Sequence, residues 1–145
     1  MTVFLLDVNL LLALSDPMHA HHEPAHRWFA THGARAWATC PLTENGFVRI
    51  ASHPSYPNGL GTVGASLAML RQFCDHDGHE FWPESVSLRN VLTRNTVLTH
   101  KHITDVYLLA LAVEYNGKLA TLDQRIPASA VEGGLEALEV VVARS

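Results

Sequence analysis

The sequence predicts an α/β fold built on a parallel sheet. Short, continuous apolar stretches recur along the 145-residue chain, as expected of strands buried on both faces. Between them lie longer segments whose apolar residues return at helical intervals. No linker, repeat or low-complexity tract interrupts the alternation, so residues 1–145 read as one domain.

The elements follow in chain order. Residues 3–6 (VFLL) form a strand, and 8–14 (VNLLLAL) continue at helical spacing. Residues 22–32 bring Ala25, Trp28, Phe29 and His32 to one helical face, with Gly33 as the stop. A short strand is expected at 36–39. Pro41 suits a first helical position, and a helix over 42–52 follows it. The stretch HPSYPNGLG at 53–61 is loop, because it carries two prolines and two glycines. A helix over 63–74 and a short strand over 80–82 come next. The clearest helix covers 105–115, with Thr104 as its N-cap and Asn116-Gly117 as its end. Strands over 118–122 and 138–143 complete the pattern.

Composition narrows the function classes. Hydrophobic residues make up 48% and charged residues 17%, which suits a packed core and not a disordered chain. The longest apolar run, FLLDVNLLLAL at 4–14, is interrupted by Asp7 and Asn9 and falls short of the roughly 20 residues a membrane span needs. No basic segment precedes it, so no secretory signal is expected. Two cysteines, Cys40 and Cys74, do not make a disulfide framework, and a reducing cytoplasm is the natural setting. The net charge of −4 speaks against a generic nucleic-acid coat protein but does not exclude a nuclease, whose acids, gathered at one site, offset a basic rim elsewhere.

Four carboxylates stand where carboxylates are costly. Asp7 and Asp123 follow apolar strands, and strand ends of one polarity share the sheet edge where α/β proteins build their sites. Glu44 and Asp105 sit early in helices. Glu44 has Phe47, Val48 and Ala51 on its own face, and Asp105 has Leu108, Leu109 and Ala112, so each acid points the way its apolar stripe points. The positive helix terminus eases each ionisation by about 0.3–1 kcal/mol. Ordinary capping explains either helix acid alone; four together call for a neutralising cation. Carboxylate oxygen suits hard divalent ions, Mg²⁺ or Mn²⁺, and an all-carboxylate site of this kind serves phosphoryl transfer.

The segments FLLDVNLLLAL, LTENGFVRIAS, ITDVYLLALA and LATLDQRI occur in an order and at a spacing that resemble PIN-domain ribonucleases, particularly VapC-type toxins of toxin–antitoxin pairs. The resemblance covers essentially the whole chain. It implies a three-layer α/β/α sandwich, Mg²⁺- or Mn²⁺-dependent cleavage of structured RNA such as tRNA or an rRNA loop, homodimerisation, and inhibition by a VapB-type antitoxin. It assigns catalytic, metal-holding roles to Asp7, Glu44, Asp105 and Asp123. Asn9 and Thr121 match small polar positions beside the metal and either orient the carboxylates or serve as a local cap and a plain strand hydroxyl. Where many relatives carry an acidic or aromatic residue after the last aspartate, this chain has Gln124, Arg125 and Ile126. Occupancy of a second metal position is therefore open, and Arg125 is either a contact for substrate phosphate or an exposed loop residue.

Other signals compete. His22-Glu23-Pro24-Ala25-His26 matches the HExxH zinc-peptidase pattern, but a helix starting at Pro24 would leave His22 outside it. Of the ten histidines, His19, His21, His22 and His26 cluster at a solvated helix start, and His100 and His102 lie close before Asp105. Asp7-Val8-Asn9 resembles the opening of haloacid-dehalogenase-like phosphatases, except that Asn9 replaces their second acid. Trp28, Trp37, Trp82 and Tyr56 suit base stacking by type, although core packing explains the tryptophans more simply. A catalytically silent PIN-like binding module is the main non-enzyme alternative, and its expected mark, a missing carboxylate, is absent from the sequence.

Overall fold

The computed structural model describes residues 1–92 and 98–141. Phe4–Leu6 (β1) is buried throughout and sends successive side chains to opposite faces of a sheet. Val8–Ser15 (α1) follows at once, then His22–Trp28 (α2), which runs into a π-helical turn over Phe29–Gly33. Trp37–Thr39 (β2), Pro41–Ala51 (α3), Val63–Cys74 (α4) and His79–Phe81 (β3) come next. A short helix over Leu88–Val91 (α5), a 3₁₀ turn over His100–His102 and Ile103–Glu114 (α6) lead to Lys118–Thr121 (β4) and Leu138–Val140 (β5).

The strands form one five-stranded sheet in the order β3-β2-β1-β4-β5, with every pairing parallel. Helices cover both faces, giving the α/β/α sandwich. Leu5, Ala38 and Leu119 pack under α6 with Val106, Leu108 and Leu109. Phe4, Leu6 and Trp37 pack on the opposite face with Leu10, Leu11 and Phe47 from α1 and α3. All three tryptophans are buried, so core packing is their role.

The chain builds β1, β2 and β3 outward in one direction, then returns to lay β4 against the other side of β1. The order reverses between β1 and β4, and the carboxyl ends of strands at such a reversal are where α/β folds build their sites. Leu6 pairs with Ala120, so Asp7 and Thr121 emerge side by side at that edge.

Several boundaries depart from expectation. Helix α6 begins at Ile103 with His102 as N-cap, so Thr104 is not the cap. The 3₁₀ turn at His100–His102 feeds directly into the helix, and Thr104 is already inside it. Helix α2 starts at His22, not at Pro24; the proline lies in the first turn, where no internal N–H is required of it. Helix α5 was not anticipated. Of the strand expected over 138–143, the part at 142–143 lies outside the described residues. The end of α6 is as expected: Asn116 adopts a left-handed φ of 56°. A Cβ on Gly117 would fall 2.4 Å from the Val3 carbonyl oxygen. Only glycine lets the chain pass that close to β1.

Candidate active site

Asp7 caps α1. Its Oδ1 accepts a 2.8 Å hydrogen bond from the Val8 N–H. Its Oδ2 accepts another, also 2.8 Å, from the Thr121 hydroxyl. The side chain sits at the strand-to-helix junction because its backbone still belongs to the sheet, donating from N–H to the Ala120 carbonyl at 2.9 Å, while its own carbonyl accepts from Leu10 and Leu11. Only 5% of the residue is exposed. Burial pushes its carboxyl above the usual range; the two hydrogen bonds oppose that rise and the Asp123 charge adds to it.

Thr121 is the hub. Besides donating to Asp7, its oxygen accepts from Asn9 Nδ2 at 3.1 Å and from the Asp123 N–H at 3.0 Å. One donor and two acceptor sites are thereby filled. Asn9 reaches across to β4 instead of capping its own helix, and its Oδ1 accepts from the Leu122 N–H at 3.1 Å. This net ties the start of α1 to the turn after β4.

Asp105 lies half-buried in the first turn of α6. Burial, then the charges of Asp7 and Asp123, raise its carboxyl from 3.8 to about 6. The structure thus brings Asp7, Asp105 and Asp123 into one electrostatic group. Among the described residues the one ion pair is Arg125 Nε with Asp123 Oδ1 at 3.6 Å, backed by a 2.8 Å bond from the Arg125 N–H to the same oxygen. The Arg125 side chain is otherwise 91% exposed. No cation is paired with Asp7 or Asp105 among the described residues. The three aspartates offer only hard oxygen donors, which is the donor chemistry Mg²⁺ and Mn²⁺ accept.

Glu44 is engaged elsewhere. Its Oε2 accepts a 2.7 Å bond from the Thr39 hydroxyl at the end of β2. The charges acting on Asp105 are those of Asp7 and Asp123, whereas Glu44 acts on Cys74 and His79. Donor atoms of Glu44, Cys74 and His79 lie within 4.8 Å of one another, and His79 Nε2 stands 2.8 Å from the same Thr39 hydroxyl. Helix α3 does aim Glu44 inward, but toward α4 and β3. Sequence reasoning missed Thr39, Cys74 and His79, because their proximity depends on β2–β3 register and on where α4 ends. A parallel register that sets Trp37 against His79 was not readable from spacing.

The peptidase-like motif has a structural use. His22 and His26 do lie against each other, with ring centroids 4.3 Å apart and planes tilted by 54°. Their nitrogens lie 2.8 Å and 3.2 Å from the Ala13 and Leu14 carbonyls, serving the last turn of α1. Glu23 points to solvent. His100 and His102 sit in the turn before α6, where His102 Nδ1 accepts from the Thr99 N–H at 3.3 Å.

Known proteins resemble this chain over most of its length. Ribonuclease VapC39 of Mycobacterium tuberculosis H37Rv is 42% identical over 136 residues, covering 92% of this chain and 98% of that protein. Ribonuclease VapC44 of the same strain is 44% identical over 131 residues, covering 89% and 92%. Among solved structures, Mycobacterium tuberculosis VapC20, a sarcin–ricin loop cleaving toxin, superposes with a TM-score of 0.61 at 11% identity, covering 88% of this chain and 95% of that one. VapBC2 from Rickettsia felis, bound to a DNA fragment from its promoter, gives 0.54 at 12% identity, covering 87% and 94%. No family model matches the chain.

Proposed function

This chain belongs to the VapC ribonucleases, and from that premise we propose that it is a Mg²⁺- or Mn²⁺-dependent endoribonuclease, the toxin of a type II toxin–antitoxin pair. The observation that carries the metal dependence is Asp7: a buried carboxylate beside two further aspartates, with hydrogen-bond donors but no paired cation among the described residues. In this reading Asp7, Asp105 and Asp123 hold the ion. Glu44 is the fourth catalytic carboxylate, and the Thr39 hydroxyl holds its Oε2.

A divalent ion bound there supplies charge neutralisation, an acidified water and polarisation of the scissile phosphate. The chain's residues do the positioning. Thr121 fixes the orientation of the Asp7 carboxylate, and Asn9 fixes Thr121. The exposed Arg125 guanidinium is available to a phosphate oxygen of the substrate. Hydrolysis leaves a 5′-phosphate and a 3′-hydroxyl.

Structured RNA, tRNA or an rRNA loop, is the substrate class the family resemblance suggests. A VapB-type antitoxin, a homodimeric assembly and a cytoplasmic location complete the proposal. In support, one structural neighbour is a VapBC complex, both cysteines are free thiols, and no helix among the described residues is long and apolar enough to cross a membrane. A catalytically silent PIN-like module is the second reading, favoured by Glu44, whose Oε2 is held by Thr39 beside Cys74 and His79.

Purified protein incubated with total RNA and Mg²⁺, followed by sequencing of the new ends, decides between the readings. Discrete cuts that vanish with EDTA and in Asp7→Asn support the enzyme. RNA left intact, or cuts that persist in Asp7→Asn, would overturn it.

A further inference from the structure

We propose that Glu44, Cys74 and His79 form a second metal site, selective for a borderline-soft divalent cation such as Zn²⁺. The site shares Glu44 with the proposed nuclease site and draws its other two donors from outside the aspartate group. Its donors are a carboxylate from α3, a thiol from the last residue of α4 and an imidazole from the first residue of β3. One nitrogen, one sulfur and one oxygen donor are what tetrahedral zinc accepts and what Mg²⁺ does not favour.

The geometry is close to that of a bound ion. The donor atoms already lie within 4.8 Å of one another. Zinc bonds of about 2.0–2.3 Å imply donor separations of roughly 3.3–3.8 Å in a tetrahedral site, so rotations within the side chains suffice. The backbone around the site is held firmly. A Cβ on Gly78 would lie 1.9 Å from the Ala34 carbonyl oxygen, so the turn before His79 is packed directly on the segment entering β2. The His79 ring is steadied against Trp37, with centroids 4.7 Å apart.

One hydroxyl gathers two of the donors. His79 Nε2 and Glu44 Oε2 both face the Thr39 hydroxyl, at 2.8 Å and 2.7 Å, and the hydroxyl gives its proton to Glu44. A cation among the three side chains would take the place of that shared contact. The Cys74 proton is lost to solvent as the metal–sulfur bond forms, and a water or the Thr39 oxygen completes the tetrahedron. Because Glu44 is also the fourth carboxylate of the proposed nuclease site, zinc capture would withdraw it from catalysis; this consequence rests on that functional reading.

Cobalt(II) titration of the full chain tests the site without reference to activity. One equivalent of Co²⁺ should produce a thiolate-to-metal charge-transfer band in the near ultraviolet, which Zn²⁺ abolishes by displacement. Cys74→Ser should remove the band and His79→Gln should weaken Co²⁺ binding at least tenfold, while Cys40→Ser and Asp7→Asn should leave it intact. Absence of the band in the unmodified chain, or its persistence in Cys74→Ser, overturns the proposal; circular dichroism confirms that each variant is folded. Zn²⁺ should inhibit Mg²⁺-supported RNA cleavage by the unmodified chain and not by Cys74→Ser. Equal inhibition of both overturns the link to catalysis, while the band alone decides the site.

Discussion

The Thr121 hydroxyl donates to Asp7 Oδ2 at 2.8 Å across 114 positions of sequence. This bond joins the two central strands at the point where the sheet order reverses, and it sets which way the most deeply buried carboxylate faces.

Replacing Thr121 with valine keeps the shape and removes the donor. The Asp7 carboxylate then loses its orienting partner, and Asn9 loses its acceptor. Mg²⁺ affinity, read by calorimetry, should fall about 10–100-fold, as is usual when the partner of a metal ligand is lost. Unchanged affinity would show that Thr121 is only a strand hydroxyl.

Metal binding should stabilise the fold, because the ion binds the folded state and relieves repulsion among the aspartates. At a free Mg²⁺ concentration a hundredfold above Kd, the expected gain is about 2.7 kcal/mol, read as a rise in melting temperature. Asp7→Asn should abolish that rise and RNA cleavage together while remaining folded. A melting temperature indifferent to both Mg²⁺ and Mn²⁺ would remove the aspartate site.

The metal-free protein should have a pH dependence traceable to Asp105. Its carboxyl is raised to about 6 from an ordinary value of 3.8, so the folded state holds the proton more tightly than the unfolded one. The contribution of this group favours folding fully below about 3.8 and is lost as pH rises through about 6. Asp105→Asn should therefore stabilise the metal-free chain more at pH 7.5 than at pH 4. A urea-midpoint difference independent of pH would contradict the repulsion argument.

The junction of α1 with α3 tolerates little. A Cβ on Gly46 would lie 2.8 Å from Val8 Cγ2, against a branched side chain with one preferred rotamer in a helix. Gly46→Ala should cost about 1–3 kcal/mol in urea unfolding, in line with overpacked interiors. Because Val8 follows Asp7 directly, cleavage should weaken with it.

The sequence by itself determined the alternation of strands and helices and the special standing of the acids. Apolar periodicity reports locally which faces are buried, and a carboxylate beside a buried run is costly wherever the chain later places it. Asp7 at the end of β1 and Asp105 in the first turn of α6 were legible for that reason. Helix starts were less so: Thr104 looked like a cap only because the preceding 3₁₀ turn leaves no periodic trace.

Tertiary structure alone decided how the acids are grouped. Asp7 and Asp123 come to one sheet edge because β4 returns to the opposite side of β1, a matter of strand order, and Asp105 on α6 feels both their charges. Glu44 is held by Thr39 beside Cys74 and His79 because β2–β3 register and the end of α4 put those partners within its reach. Helical spacing gives the face from which a side chain leaves. Which hydrogen-bond donor receives it depends on groups brought from distant parts of the chain, and only packing selects among them.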